Sequence, residues 1–170
     1  MTDNIEINNY VKKHKRLLKA RNATFLGVFP SDHLPKVNSH NACMIVNYSA
    51  SDKSNEGHWC TILSLNNPGK NAYWFDSYGK FPDEDDTVLH DQTNFKDYIQ
   101  KNSSTGKYDY NHVDWQSYTG NYSDVCGEFS LLCVLYGPPE DNASVWRKLK
   151  NIRNPNRRGE FVEKFIGIRK

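Results

Sequence analysis

Apolar side chains at Ile7, Tyr10, Val11, Leu17 and Leu18 recur at helical spacing, while Lys12, Lys13, Lys15 and Arg16 fall largely on the other face. The spacing predicts an amphipathic first helix, capped at Asp3 or Asn4. Three later segments, Ala42 to Tyr48, His58 to Leu65 and Ala72 to Tyr78, are rich in β-branched and aromatic residues and bounded by turn formers, as strands are. Asn66-Asn67-Pro68-Gly69-Lys70 joins the last two as a hairpin. A second helix is predicted from about Thr87 to Gln100 on Val88, Leu89, Phe95, Tyr98 and Ile99, followed by an extended stretch from Tyr108 to Gln116. Cys126 to Tyr136 is nearly all apolar and stops at Gly137-Pro138-Pro139, which marks a buried central helix. Helices near Ser144 to Ile152 and Glu160 to Ile166 complete an α+β fold, and with no repeat or linker the chain reads as one domain over residues 1–170.

Composition narrows the picture without identifying a function. A chain of 170 residues with 37% apolar and 13% aromatic side chains can bury a substantial core. No apolar run approaches the roughly 18 to 20 residues that cross a bilayer, and no secretory leader opens the chain, so a soluble, unexported monomer without a membrane partner is expected. Four cysteines, Cys43, Cys60, Cys126 and Cys133, show no CxxC spacing, which predicts free thiols in a reducing compartment and argues against structural zinc. The formal net charge of +2 does not require a nucleic-acid partner. Its positive residues are nevertheless clustered.

Candidate chemistry begins at the hairpin. His58 and Asp76 lie symmetrically about Asn67, so paired strands bring them opposite or nearly opposite each other. A carboxylate beside an imidazole fixes its tautomer and stabilises the imidazolium, as a general base requires. A structural His-Asp pair is the commoner meaning of such a hairpin by itself. Asp124-Val125-Cys126-Gly127-Glu128-Phe129 changes the balance, because it places a thiol where a polar loop meets the apolar helix. Free N–H groups and the dipole at a helix N-terminus favour a thiolate, and the same N–H groups can receive an oxyanion. Gly127 leaves room for an incoming backbone. Cys43, Cys60 and Cys133 lie in apolar segments and read as core residues. Gln116, at the end of the extended segment, is a neutral amide suited to stabilising an oxyanion.

Taken together, Phe25-Leu26-Gly27-Val28-Phe29, Asn41-Ala42-Cys43-Met44-Ile45-Val46-Asn47, Gly57-His58-Trp59, Trp74-Phe75-Asp76-Ser77-Tyr78-Gly79, Gln116 and Val125-Cys126-Gly127-Glu128-Phe129 resemble the adenain family of adenovirus maturation proteases. More distantly they resemble the proteases that process ubiquitin-like modifiers. The resemblance covers about two thirds of the chain, from roughly residue 5 to 137. It implies a papain-like fold of the adenain type, a central mixed sheet packed on the nucleophile-bearing helix. Cys126 would be the nucleophile, His58 its base, Asp76 the third member, and Gln116 with the Cys126 N–H the oxyanion hole. The chain departs from the family in carrying Asp76 where adenain has Glu. Its loop from Gln116 to Cys126 is also longer, so placing Gln116 calls for a local bulge. It has no evident cysteine to tether an activating peptide.

The activity so implied is that of a cysteine endopeptidase processing capsid or core precursors of a DNA virus or virus-like element, within the virion and the infected cell. It needs no metal or redox cofactor. Two alternatives stand beside it: removal or maturation of a ubiquitin-like modifier, and a catalytically idle module that holds a peptide or DNA. The basic clusters Lys12-Lys13-His14-Lys15-Arg16, Arg147-Lys148-Leu149-Lys150 and Arg153 to Arg158 read first as solvated helix faces. The resemblance adds non-specific, stimulatory DNA as a partner for them.

Overall fold

A computed structural model describes residues 2–49, 57–84 and 94–168. Among these the chain forms a mixed α+β fold of one five-stranded sheet and six α-helices. The first helical segment is two helices, α1 (Asn4–Lys13) and α2 (Lys15–Ala20), broken at His14. Asp3 caps α1: its side chain accepts from the Glu6 N–H while the Glu6 carboxylate accepts from the Asp3 N–H, a reciprocal capping box.

The strands are β1 (Thr24–Pro30), β2 (Ala42–Asn47), β3 (Trp59–Leu65), β4 (Ala72–Phe75) and β5 (Tyr108–Tyr110), ordered β1-β2-β3-β4-β5. The two outer pairings are parallel and the two inner ones antiparallel. β1 is not evident from the apolar pattern. Gly27 sits at φ 133° and the register slips between Phe25 and Val28, so no clean alternation survives. The extended stretch beginning at Tyr108 is a strand for only three residues.

Strand β2 is buried on both faces. Cys43 and Ile45 face the cluster built on α4 (Cys126–Tyr136), while Ala42, Met44 and Val46 face the cluster that includes Phe95 and Ile99 of α3 (Phe95–Asn102). The earlier part of the predicted second helix, before residue 94, lies outside the described residues. Helix α4 is buried from Cys126 to Leu135, as its almost uniformly apolar sequence demands. Leu131, Leu132, Val134 and Phe129 each gain about 1.5–3 kcal/mol on leaving water, which fixes this helix against the sheet.

The C-terminal elements are α5 (Ser144–Lys150) and α6 (Pro155–Ile166). Helix α6 starts five residues before the apolar pattern suggests, because Asn154 caps it and Pro155 fits its first turn. No helix among the described residues is long and apolar enough to cross a membrane.

Candidate active site

The β3–β4 hairpin positions the first two candidate residues. Its register pairs Thr61 with Phe75, Ile62 with Trp74 and Leu63 with Tyr73, so it is centred on Pro68. That is one residue later than the symmetry about Asn67 suggests. Continued past β4, it sets Asp76 across from Cys60, with His58 its diagonal neighbour on the same face. The diagonal is short enough: His58 Nε2 lies 2.7 Å from Asp76 Oδ1.

Asp76 is fully buried, and a tight turn presents its carboxylate. The Tyr78 N–H donates to Asp76 Oδ1 at 2.8 Å and the Gly79 N–H to the Asp76 carbonyl at 2.8 Å. Gly79 has φ 72°, and a Cβ there would come within 2.8 Å of the Val113 carbonyl carbon, so the turn needs glycine. Asn111, just beyond β5, clamps the Asp76 main chain: its Oδ1 accepts the Asp76 N–H at 2.9 Å and its Nδ2 donates to the Asp76 carbonyl at 2.5 Å.

Cys126 opens α4 and is 3% exposed; His58 is 6% exposed. The Cys126 side chain is near enough to His58 to raise the proton affinity of the ring. The structure therefore brings His58, Asp76 and Cys126 together around one imidazole. Burial opposes charge on that ring, but the Cys60 sulfur, the Asp76 carboxylate with its hydrogen bond, and the Cys126 side chain outweigh it. His58 is held well above the ordinary histidine value. Cys60 is itself pushed far up by burial and then by Asp76.

The apolar strand around Cys60 predicts a core residue. Core it is, yet it also touches the His58–Asp76 pair. The spacing His58-x-Cys60 on one strand, which puts both on one face, is the signal that identifies it. His58, Cys60 and Asp76 each offer a ligand atom within 4.8 Å of the others, the one such group among the described residues. The 2.7 Å His58–Asp76 separation is a hydrogen bond. Two ligands on a tetrahedral ion with bonds of about 2.0–2.3 Å stand farther apart, so the group fits acid–base chemistry better than a metal.

Gly127 does not face an open groove. A Cβ there would lie 3.3 Å from Thr2 Cβ and 3.4 Å from Trp59 Cδ1. The chain's own N-terminal segment lies over it, held by Trp59 Nε1 donating to the Thr2 carbonyl at 3.0 Å and by the Thr2 hydroxyl donating to buried Glu128 at 2.6 Å.

Gln116 is fully buried beside the Asp76 turn. The Trp115 and Gln116 N–H groups both donate to the Ser77 carbonyl, at 2.8 and 3.0 Å, a bulge-like doubling that seats Gln116 next to Ser77. Its Oε1 accepts from the Ser77 hydroxyl at 2.7 Å. Its Nε2 donates to the Ser123 carbonyl at 2.5 Å and to the Tyr78 hydroxyl at 3.3 Å. Both amide protons are thus engaged, and the longer loop folds back to engage them.

Aromatic rings enclose the imidazole. Tyr78 stacks on His58 at 4.8 Å between centroids and 28° between planes, Tyr48 lies at 6.3 Å and 13°, and Tyr118 stacks on Tyr78 at 4.1 Å. Comparison with known proteins finds no family model and no curated protein that matches the chain.

Proposed function

We propose that this chain is a cysteine endopeptidase of papain-like fold and adenain type, with Cys126 as nucleophile, His58 as base and Asp76 as orienter. One observation carries the reading: a single buried imidazole is hydrogen-bonded to a buried carboxylate at 2.7 Å and feels the thiol that opens the central helix. Burial strips water from all three groups, so the Asp76 charge acts on His58 at low dielectric. In the reaction His58 takes the Cys126 proton, and sulfur attacks the peptide carbonyl. The carbonyl oxygen gathers negative charge against the Cys126 N–H and Gln116 Nε2, the latter once it leaves Ser123. Collapse breaks the C–N bond, the imidazolium protonates the leaving amine, and a thioester remains. Water, deprotonated by His58, hydrolyses it.

The substrates proposed are capsid or core precursor proteins of a DNA virus or virus-like element, cut in the virion and the infected cell. Exposed Lys12, Lys13, Lys15 and Arg16 on α1 and α2, with Arg147, Lys148 and Lys150 on α5, support non-specific DNA as a stimulatory partner. The test is to incubate the protein under reducing conditions with such precursors, and with a ubiquitin-like protein bearing a C-terminal extension, over a salt series with and without DNA. Cleavage of the precursors, with stimulation lost at high salt, supports the reading. Cleavage of the modifier alone transfers it to the modifier proteases, and binding without cleavage of either leaves the idle module.

A further inference from the structure

We propose that Tyr78 is a positioning residue of this site, its hydroxyl orienting the Gln116 amide toward a developing oxyanion; the inference rests on the cysteine-protease reading above. Tyr78 meets three of the reacting or stabilising groups by separate contacts. Its N–H shares Asp76 Oδ1 with His58 Nε2, and its ring lies over the His58 imidazole. Its hydroxyl accepts from Gln116 Nε2 at 3.3 Å and donates to the Ser123 carbonyl at 3.2 Å.

The consequence follows from the donor count of a primary amide. Gln116 has one oxygen and two N–H groups. The Ser77 hydroxyl holds Oε1, and the Tyr78 hydroxyl and Ser123 carbonyl share Nε2. A substrate carbonyl that takes a proton from Nε2 has to displace one of these two acceptors, since the amide has no third proton, and in this proposal the Ser123 oxygen gives way. Once it does, Ser77 and Tyr78 still hold the amide at both ends, and the freed N–H has one direction left to point. Such a donor stabilises an oxyanion without reorganising at the moment of reaction. With the Ser123 oxygen displaced and no Tyr78 hydroxyl, the amide is pinned only at Oε1 and swings about its last torsion. The phenol itself does not ionise near neutrality: burial, the largest influence on it, pushes its pKa up to about 12.

Two small reagents separate this role from a structural one. p-Nitrophenyl acetate acylates a thiolate through a tetrahedral oxyanion: the S–C bond forms, His58 holds the thiol proton, and p-nitrophenolate leaves with the electrons of the broken C–O bond. Iodoacetamide alkylates the same sulfur by displacing iodide and develops no oxyanion. Tyr78→Phe keeps the ring and the main-chain bond. It should slow Cys126 acylation on the order of tenfold, the effect of one hydrogen bond, and leave alkylation within about twofold of wild type. Gln116→Ala should slow acylation at least as much, and adding Tyr78→Phe to it should change nothing further. The inference is overturned if Tyr78→Phe slows both reagents alike, slows neither, or multiplies the effect of Gln116→Ala. Should Cys126→Ala instead acylate and alkylate as fast as wild type, the cysteine-protease reading fails, and this inference with it.

Discussion

Replacing Asp76 by Asn removes one charge from the site and almost no volume. The carboxylate Oδ1 receives His58 Nε2 at 2.7 Å and the Tyr78 N–H at 2.8 Å, and an Asn carbonyl can receive both. What changes is the counter-charge. A hydrogen bond to a charged group contributes about 1.5–3 kcal/mol against about 0.5–1.5 for a neutral pair, so the imidazolium loses on the order of 1–2 kcal/mol. At about 1.4 kcal/mol per factor of ten, acyl transfer should slow on the order of five- to thirtyfold. Replacing His58 by Ala removes the proton carrier and should cost about 10²–10⁴-fold. The amide nitrogen introduced by Asp76→Asn would stand where Asp76 Oδ2 finds no hydrogen-bond partner among the described residues. A buried unsatisfied donor costs about 1–3 kcal/mol, so urea denaturation should show a loss of that size. The assay pairs the two: acylation rates for wild type, Asp76→Asn and His58→Ala, with unfolding curves for each. Asp76→Asn as fast as wild type, or as slow as His58→Ala while still folded, would refute the reasoning.

Three further outcomes are expected. Iodoacetamide at neutral pH should label Cys126 before the other thiols, because burial pushes Cys43 up to about 12 and raises Cys60 and Cys133 strongly; peptide mapping checks the order. Asn111→Ala strands the buried Asp76 N–H and should destabilise by about 1–3 kcal/mol while slowing acylation, read by denaturation and kinetics together. The raised His58 pKa contributes stability that is complete below the ordinary value of about 6.5 and fades as pH rises through the folded value. The urea midpoint of wild type should therefore fall more across the alkaline range than that of His58→Gln, and parallel curves would contradict the assignment.

The juxtaposition of His58 and Asp76 is legible in the sequence because a hairpin is a local object: a short turn constrains the residues on either side of it. Its register is legible only to within one residue. The turn geometry that decides it includes Asn66 at φ 48° and Gly69 at φ 74°, which composition does not fix. That single step puts Cys60, rather than His58, across from Asp76. Helix α4 is visible because it is apolar on every side, and burial on every side is what it has. The contacts of Gln116 are not visible. They depend on where an irregular loop delivers the Ser123 carbonyl, and no periodicity encodes a main-chain oxygen's direction. Tyr78 lies within a recognisable motif, but its role is hidden there because its contacts need the Asp76 turn and that loop at once. Strand β1 is hidden by Gly27, which breaks the alternation while permitting the pairing slip.

The central claim is that Cys126 cuts peptide bonds with help from His58. Wild-type and Cys126→Ala chains should each be incubated under reducing conditions with a library of folded-protein digests and intact viral structural precursors, and new N-termini sequenced by mass spectrometry. The account predicts new termini with wild type and none with Cys126→Ala. New termini that persist in Cys126→Ala, or none from wild type at any salt concentration with or without DNA, would contradict it.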